Sequence, residues 1–383
     1  MINIVQKDKC TACQACFNIC PKNAISMIYD NEGFLYPKVN MELCVNCGLC
    51  SKVCPINKKR KTNNQGIAYL CMNKDINVRL ESSSGGVFSL LAECVIADSG
   101  KVFGAAYNEK FDIVHIEIDK TEDICMLRGS KYAQSNIGDT YSRVKKYLNN
   151  GETVLFSGTP CQIAGLKSFL GKNYENLILQ DIICHGVPSP GIWRKYVKYR
   201  EENSGSKTIK ISQRDKTSGW EQYSMNFKFK NETEYRKIFS EDIFMRGFLS
   251  DLYCRPSCYN CHFKSIERES DITLADFWGI KNIHPEYCDN KGVSLVFVNS
   301  VKGEKIFDKI KDKLVLKTVD INEAVKYNSA AYESCVMPNG RKKLMKKIQH
   351  KNFFNYVDKY TKKNFCNRCL SKIKKYIKRM IYR

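Results

Sequence analysis

The sequence predicts two domains of different class in series. A small α+β domain comes first, then a larger α/β domain on a mostly parallel or mixed sheet, with a helical basic tail behind them. Three observations predict this. Cysteines recur in two runs of one spacing, both ahead of Ile56. Strand-like and helix-like apolar segments then alternate as far as residue 340. From Arg341 onward the composition turns strongly basic.

In the first domain, residues 1–57, Cys10, Cys13, Cys16 and Cys20 precede Pro21, and Cys44, Cys47, Cys50 and Cys54 precede Pro55. Each run reads C-x2-C-x2-C-x3-C-P, the ligand pattern of bacterial two-cluster ferredoxins, and so predicts a ferredoxin-like domain with two 4Fe-4S clusters. Three thiolates two residues apart wrap one face of a cube, while the fourth lies too far round and crosses to the other cluster. The expected sets are Cys10, Cys13, Cys16 and Cys54, and Cys44, Cys47, Cys50 and Cys20. Zinc also takes four thiolates, but its sites separate two CxxC pairs by a long loop. One constant offset carries every cysteine of the first run onto its counterpart in the second, Cys10 onto Cys44 and Cys20 onto Cys54, as a duplicated fold requires. Between the runs Ile25–Tyr29 and Phe34–Val39 flank Asp30-Asn31-Glu32-Gly33, a hairpin pattern.

With 383 residues and 43% hydrophobic content, the chain can build further domains with a sizeable core. The chain has twenty cysteines, and CxxC clusters in so long a chain indicate metal rather than a secreted disulfide scaffold. The N-terminus lacks an apolar core of signal-peptide length, and no apolar run approaches the ~18 residues of a membrane span. The expectation is a cytoplasmic protein of an anaerobe. Net charge is +22, but residues 341–383 hold sixteen Lys and Arg against one acid, leaving about +7 for the rest. Charge confined in this way, with no recognisable binding module, argues against a nucleic-acid binder.

Residues 57–65 are polar and charged and predict a linker. Ile67–Met72, Lys101–Tyr107 and Ile113–Ile118 read as strands, and Val87–Ala97 as a helix opened by Ser82-Ser83-Ser84-Gly85-Gly86. Tyr141–Leu148 predicts a short amphipathic helix. Thr153–Ser157 and Leu177–Ile183 read as buried strands. Each is followed by a loop, Gly158-Thr159-Pro160-Cys161 or Cys184-His185-Gly186, and then a helix. This alternation predicts βαβ units, and on neighbouring strands both loops emerge at the carboxyl edge, where ligands bind. Residues 208–239 predict an antiparallel insertion. A helix over 242–252, strands at 271–274 and 294–298, and a helix over 301–313 complete the domain. Five further cysteines call for explanation: Cys161, Cys184, and Cys254, Cys258 and Cys261 in C-x3-C-x2-C. They suit a third metal site if the CxxC folds back onto the two βα loops, and buried apolar thiols otherwise.

Ser84-Gly85-Gly86, Lys131-Tyr132 with Gln134-Ser135, Gly158-Thr159-Pro160-Cys161-Gln162, Cys184-His185-Gly186, Cys258-x-x-Cys261 and Asp276-Phe277-Trp278-Gly279 occur in this order. Together they resemble the family of coenzyme F420 hydrogenase/dehydrogenase beta subunits over about residues 66–300. The resemblance implies a flavin-binding α/β domain, divided at residues 66–150 and 151–340, that carries FAD and a third 4Fe-4S cluster. It implies Cys161, Cys184, Cys258 and Cys261 as ligands, with Cys254 spare. A flavin exchanges hydride for single electrons. For its pyrophosphate, small residues at a helix start are suitable, so Ser84, Gly85 and Gly86 are the candidate contacts, joined by Lys131, Gln134 and Ser135. His185 has a ligand as neighbour, and either bonds sulfur, donates a proton or is structural. Arg214-Asp215-Lys216 with Gly219-Trp220 is either a receptor for an anionic planar group or a solvated face.

The expected function is an iron–sulfur flavoprotein oxidoreductase. Electrons pass between ferredoxin-type clusters and FAD, and a hydride goes to or from an organic substrate or the deazaflavin F420. The resemblance also implies relatives in surface polysaccharide synthesis. The alternative is an electron-transfer subunit serving a partner dehydrogenase or hydrogenase. Expected partners are a redox protein or a small hydride carrier. Cys366 and Cys369 form an isolated CxxC in the basic tail, residues 341–383. There Ile373, Ile377, Met380 and Ile381 share one helical face, which suits peripheral contact with the inner face of a membrane.

Overall fold

A computed structural model describes residues 4–60, 62 and 66–362. The strands, in chain order, are β1 (Ile25–Tyr29), β2 (Leu35–Val39), β3 (Ile67–Asn73), β4 (Lys101–Tyr107), β5 (Ile113–Ile118), β6 (Val154–Ser157), β7 (Leu177–Ile182), β8 (Thr208–Asp215), β9 (Ser224–Phe229), β10 (Glu234–Ile238), β11 (Ile272–Asp276), β12 (Ser294–Val298) and β13 (Leu314–Val319). Eight of them form one sheet in the order β13-β3-β12-β11-β7-β6-β4-β5. Its centre is parallel (β11, β7, β6 and β4) and both flanks are antiparallel, so the sheet is mixed.

The pattern of this sheet follows from burial on both faces. Val154, Leu155 and Phe156 of β6 are all fully buried, as a central parallel strand requires. The Val87–Ala97 and Val301–Ile310 helices cover one face with Leu90, Leu91, Ile306 and Phe307. The Thr140–Asn149 and Pro160–Leu170 helices cover the other with Tyr141, Val144, Ile163 and Leu166. Strand β6 lies beside β7 in parallel, so the loops after both open at one carboxyl edge. The Pro160–Leu170 helix starts abruptly there, with Pro160 in its first turn and a reciprocal capping box between Thr159 and Gln162.

Strands β8, β9 and β10 form a separate antiparallel sheet, as the insertion predicts. It packs with the Pro190–Ser204 and Ile243–Leu249 helices. The same core takes in Leu344, Met345, Ile348, Phe353, Phe354 and Val357. Packing therefore continues beyond Arg341, the compositional break, because every fourth residue or so of that basic stretch is a large apolar one. Cys366, Cys369 and the expected amphipathic face lie outside the described residues. Strand β13 has no counterpart among the sequence expectations. No helix among the described residues is long and apolar enough to cross a membrane.

The N-terminal domain is docked onto the larger one. Gly33 has φ +78° at the β1–β2 turn, and a Cβ there would meet the Cα of Gly191 at 2.6 Å. Gly191 N–H donates to Gly33 O (3.2 Å), and Gln14 donates to Asn136 Oδ1 (2.8 Å). Arg341 closes the same seam with a bidentate ion pair to Glu32.

Candidate metal centres

The two cysteine runs fold alike. Between the cysteines of the first, Ala12 (φ 50°) and Gln14 (φ 64°) are left-handed, and at the equivalent places in the second so are Asn46 (φ 55°) and Gly48 (φ 72°). These reversals coil the backbone so that successive thiols point to one side. Each run then enters a one-turn helix, Ala15–Ile19 or Leu49–Val53, whose C-cap is the fourth cysteine, Cys20 or Cys54. The structure gathers Cys10, Cys13, Cys16 and Cys54 into an inner set. Burial pushes the Cys13 thiol far up, with the neighbouring sulfurs of Cys16, Cys54 and Cys10 adding to it. Burial, then Cys10 and Cys54, pushes Cys16 up to about 12. Four thiols crowded without a cation are costly to ionise, so the inner set calls for metal charge. The outer set, Cys20, Cys44, Cys47 and Cys50, lines a pocket of about 380 Å³, mouth included, whose other walls are mainly apolar. Ala24 N–H donates to Cys20 Sγ (3.2 Å).

A third set forms at the carboxyl edge of the large sheet. Cys161 lies in the first turn of the Pro160–Leu170 helix, and Cys184 follows β7. Cys258 and Cys261 arrive on the Pro256–Asn260 turn. All four line one cavity of about 500 Å³, mouth included, with Thr11, Arg255, Lys264 and Arg268. Burial raises the Cys161 and Cys258 thiols and takes Cys184 to about 11 despite the opposing charge of Lys264. Thr159 Oγ1 lies 3.1 Å from Cys161 Sγ, and Cys261 N–H donates to Ser334 Oγ (2.9 Å). Four thiols from three separate segments are a donor set that suits an iron–sulfur cube. Cys254 does not line this cavity. It is fully buried and hydrogen-bonds to Cys335, whose own thiol donates to Cys258 O (3.4 Å).

The expected flavin contacts fall in two places. Gly85 packs on β3 and β12, where a Cβ would meet Cys71 O at 2.3 Å, and its N–H donates to Ser294 Oγ (2.8 Å). Gly86 (φ +83°) caps the Val87–Ala97 helix, and Ser84 Oγ donates to Val293 O (2.8 Å). Two cations, Lys216 and Arg214, reach this loop, and Lys131 bonds within its own loop beside the Tyr107 ring. Lys131 donates to carbonyls of residues 127–129. Lys216 likewise donates to carbonyls, including Ser84 O at 3.1 Å. Arg214 pairs with Asp276 and holds Ser83 O, yet its buried Nε has no partner among the described residues. Burial depresses both lysines to about 7. The Lys216 ammonium, bonded to carbonyls rather than carboxylates and beside an orphaned guanidinium N–H, suits an anion such as a pyrophosphate. Gln134 and Ser135 lie elsewhere. Gln134 donates to Thr11 O (2.6 Å), and Ser135 Oγ accepts from Gln162 (2.9 Å), so both are spent on protein partners at the cysteine sites.

Residues 151–324 match the family model for the C-terminal part of the coenzyme F420 hydrogenase/dehydrogenase beta subunit, and residues 9–58 match the 4Fe-4S dicluster domain. The large domain thus carries the C-terminal part of a coenzyme F420 hydrogenase/dehydrogenase beta subunit, behind a 4Fe-4S dicluster domain. It is 22% identical over 338 residues to the F subunit of the F(420)H(2) dehydrogenase of Methanosarcina mazei, covering 81% of this chain and 85% of that one. Its first domain is 37% identical over 54 residues to an uncharacterized ferredoxin of Methanocaldococcus jannaschii, covering 14% of this chain and 69% of that one. A chain from the xenon-derivatized F420-reducing [NiFe] hydrogenase complex of Methanosarcina barkeri is 15% identical with TM-score 0.45, covering 79% of this chain and 93% of that one.

Two residues named from the sequence take definite places, and two others escape sequence reasoning. Trp220 is neither a ligand platform nor solvated: it is 1% exposed, stacks on Trp278 at 5.0 Å and donates to Asp276 (2.7 Å). Its partner is part of Asp276-Phe277-Trp278-Gly279, which ties that motif to the insertion. His185 contacts Asp251 (Nε2 to Oδ1, 2.6 Å) and meets the Phe248 ring edge-on, beside Cys254. Cys335 carries no spacing signal, since no other cysteine is near it in sequence. Arg255, one residue after Cys254, is equally silent.

Proposed function

We propose that the chain is an iron–sulfur flavoprotein oxidoreductase subunit, passing single electrons along three 4Fe-4S sites and exchanging them at FAD as a hydride with an organic substrate or coenzyme F420. One observation carries this reading: the three four-thiol sets are contiguous. Cys16 of the inner set is close enough for Cys50 of the outer set to raise its pKa, and Cys161 of the third set feels Cys13 of the inner set in the same way. Clusters held there supply one-electron carriers, and a flavin supplies the exchange between one hydride and two single electrons.

The chain's own residues prepare that path. The Pro160–Leu170 helix holds Cys161 in its first turn and carries Gly165, where a Cβ would meet Cys13 Sγ at 3.0 Å. One rigid element therefore spaces two thiol sets. Thr11, between Cys10 and Cys13, is also a wall of the third cavity. Lys216 and Arg214 would hold the phosphates at the Ser84–Gly86 loop, Lys131 stays a candidate flavin contact from its own loop, and the coenzyme F420 reading rests on the family. A plainer carrier without its own substrate site is favoured by the burial of Trp220, which removes the one aromatic platform the sequence offered. Anaerobic purification with iron, sulfide and flavin measured per chain tests both. About twelve irons and about one FAD are expected. About twelve irons without flavin would favour the plainer carrier, and about eight would remove the third site.

A further inference from the structure

Five arginines are almost wholly buried among the described residues: Arg79, Arg214, Arg255, Arg268 and Arg341. Four of them face a carboxylate, on Asp289, Asp276, Asp181 and Glu32 respectively. Arg255, the most buried at 1% exposure, has no carboxylate partner among the described residues. It donates instead to Cys10 O (2.7 Å), Leu35 O (2.9 Å) and Gln134 Oε1 (3.0 Å). Its guanidinium lies 4.2 Å from the Tyr36 ring centre. Neutral acceptors satisfy the N–H groups but leave the charge uncancelled. Taking an unpaired cation out of water costs several kcal/mol even after the protein relaxes. The position of Arg255 shows where an anion would offset that cost. It lines the cavity of Cys161, Cys184, Cys258 and Cys261, and its Nε bonds the carbonyl of Cys10, a thiol residue of the inner set.

We propose that Arg255 is the counter-charge shared by the inner and third cysteine sites, and that it raises the reduction potential of both relative to the outer site. This rests on the reading of those sites as 4Fe-4S centres. Net charge is one of the terms that set a cluster's potential. Four thiolates around iron and sulfide give an anionic site, and reduction adds one electron with no bond broken. A fixed positive charge in a low-dielectric interior favours the more negative state. Lys264 adds a second cation on the far wall of the third cavity, bonded to Cys184 O and Ala330 O. Arg255 is the one that reaches both sites. Electrons would accordingly rest on the two enclosed sites rather than the solvent-facing one.

Redox titration of the anaerobically isolated full chain, followed by EPR, tests this. Arg255→Gln keeps hydrogen-bond donors without the charge. Gln134→Glu sets a carboxylate against the guanidinium and neutralises it in place, and Arg255→Lys keeps the charge. The first two should move the inner and third couples negative by at least tenfold in the reduced-to-oxidised ratio at fixed poise, about 59 mV for one electron. The outer couple should stay, and Arg255→Lys should titrate close to the unaltered chain. Inner and third couples that do not move in Arg255→Gln and Gln134→Glu, or a shift of all three couples together, would overturn the proposal. If Arg255→Gln fails to fold, Gln134→Glu decides alone, because it retains the arginine. Fewer than about twelve irons in the unaltered chain would sink the cluster reading itself. A full complement with unmoved potentials would sink this inference only.

Discussion

Equivalent positions in the two cysteine runs share backbone reversals and helix ends, yet the first run faces protein and the second faces water. Cys10 and Cys13 of the first run are buried, whereas Cys47 of the second is exposed and Met41, Leu43 and Val45 beside it stand 48–57% exposed. Cys54, which the second run lends to the inner set, is buried with that set. Local sequence dictates the coil of each run. What differs is the third partner: the Pro160–Leu170 helix presses on the inner set and nothing among the described residues presses on the outer pocket in the same way. A duplicated motif thus yields one enclosed relay and one open terminal, because tertiary packing breaks the symmetry that the spacing sets up.

The sharpest way to break that contrast is to remove a thiol on the enclosed side. Cys161→Ala should cost about four irons per chain, measured by iron and sulfide analysis of anaerobic protein. Cys254→Ala, which leaves the third cavity's lining intact, should cost none; equal losses would refute the assignment. Steric pressure gives the next effect. A Cβ at Gly165 would meet Cys13 Cβ at 2.8 Å and the Tyr141 hydroxyl at 2.9 Å. Gly165→Ala should therefore destabilise the chain by about 1–3 kcal/mol and release inner-set iron first. Leu49→Ala, on the open side at 37% exposure, should stay within about 0.5 kcal/mol. Denaturation followed by both circular dichroism and cluster absorbance separates the two. Brief exposure to air should then bleach the open site ahead of the enclosed ones, in two resolved phases. Cys47→Ser should abolish the faster phase alone.

The smallest effect concerns two lysines, Lys216 at the Ser84–Gly86 loop and Lys131 on residues 127–129, which are enclosed without metal. Both are depressed to about 7 from 10.5 by burial. Below about pH 7 each is charged whether the chain is folded or not. Between about 7 and 10.5 the unfolded chain keeps a proton that the folded one has released, so stability of the flavin-free protein should rise with pH across that window. Inorganic pyrophosphate, which favours the charged form, should flatten the rise. Its own binding should weaken by less than about tenfold from about pH 6 to about pH 8. Thermal midpoints against pH, with and without pyrophosphate, read both. A flat profile without the anion would remove the lysines from consideration.

How far the sequence reveals all this depends on distance along the chain. The ferredoxin runs are legible because ligand spacing is local, and β4, β5 and β12 are legible because their apolar runs are short and bounded by turn residues. The βα loops that bring Cys161 and Cys184 together are readable from the alternation of strand and helix. Arg255 is not, since its partner Cys10 is 245 residues away. Cys335 meets Cys254 from a distant part of the chain, and no spacing pattern links the two. Gln134 and Ser135 illustrate a related point: polar residues in a loop look available in the sequence, and the fold supplies them with protein partners.

The seam at Gly33 and Gly191 carries one more consequence. Two bare backbones meet there at a separation no side chain could tolerate, and the inner thiols, carried by the same docked domain, face the larger one at Gly165. Inorganic cargo destined for the interior would then have to be delivered during biogenesis, before the halves of the protein clasp. The outer nest could be refilled or repaired at any later time.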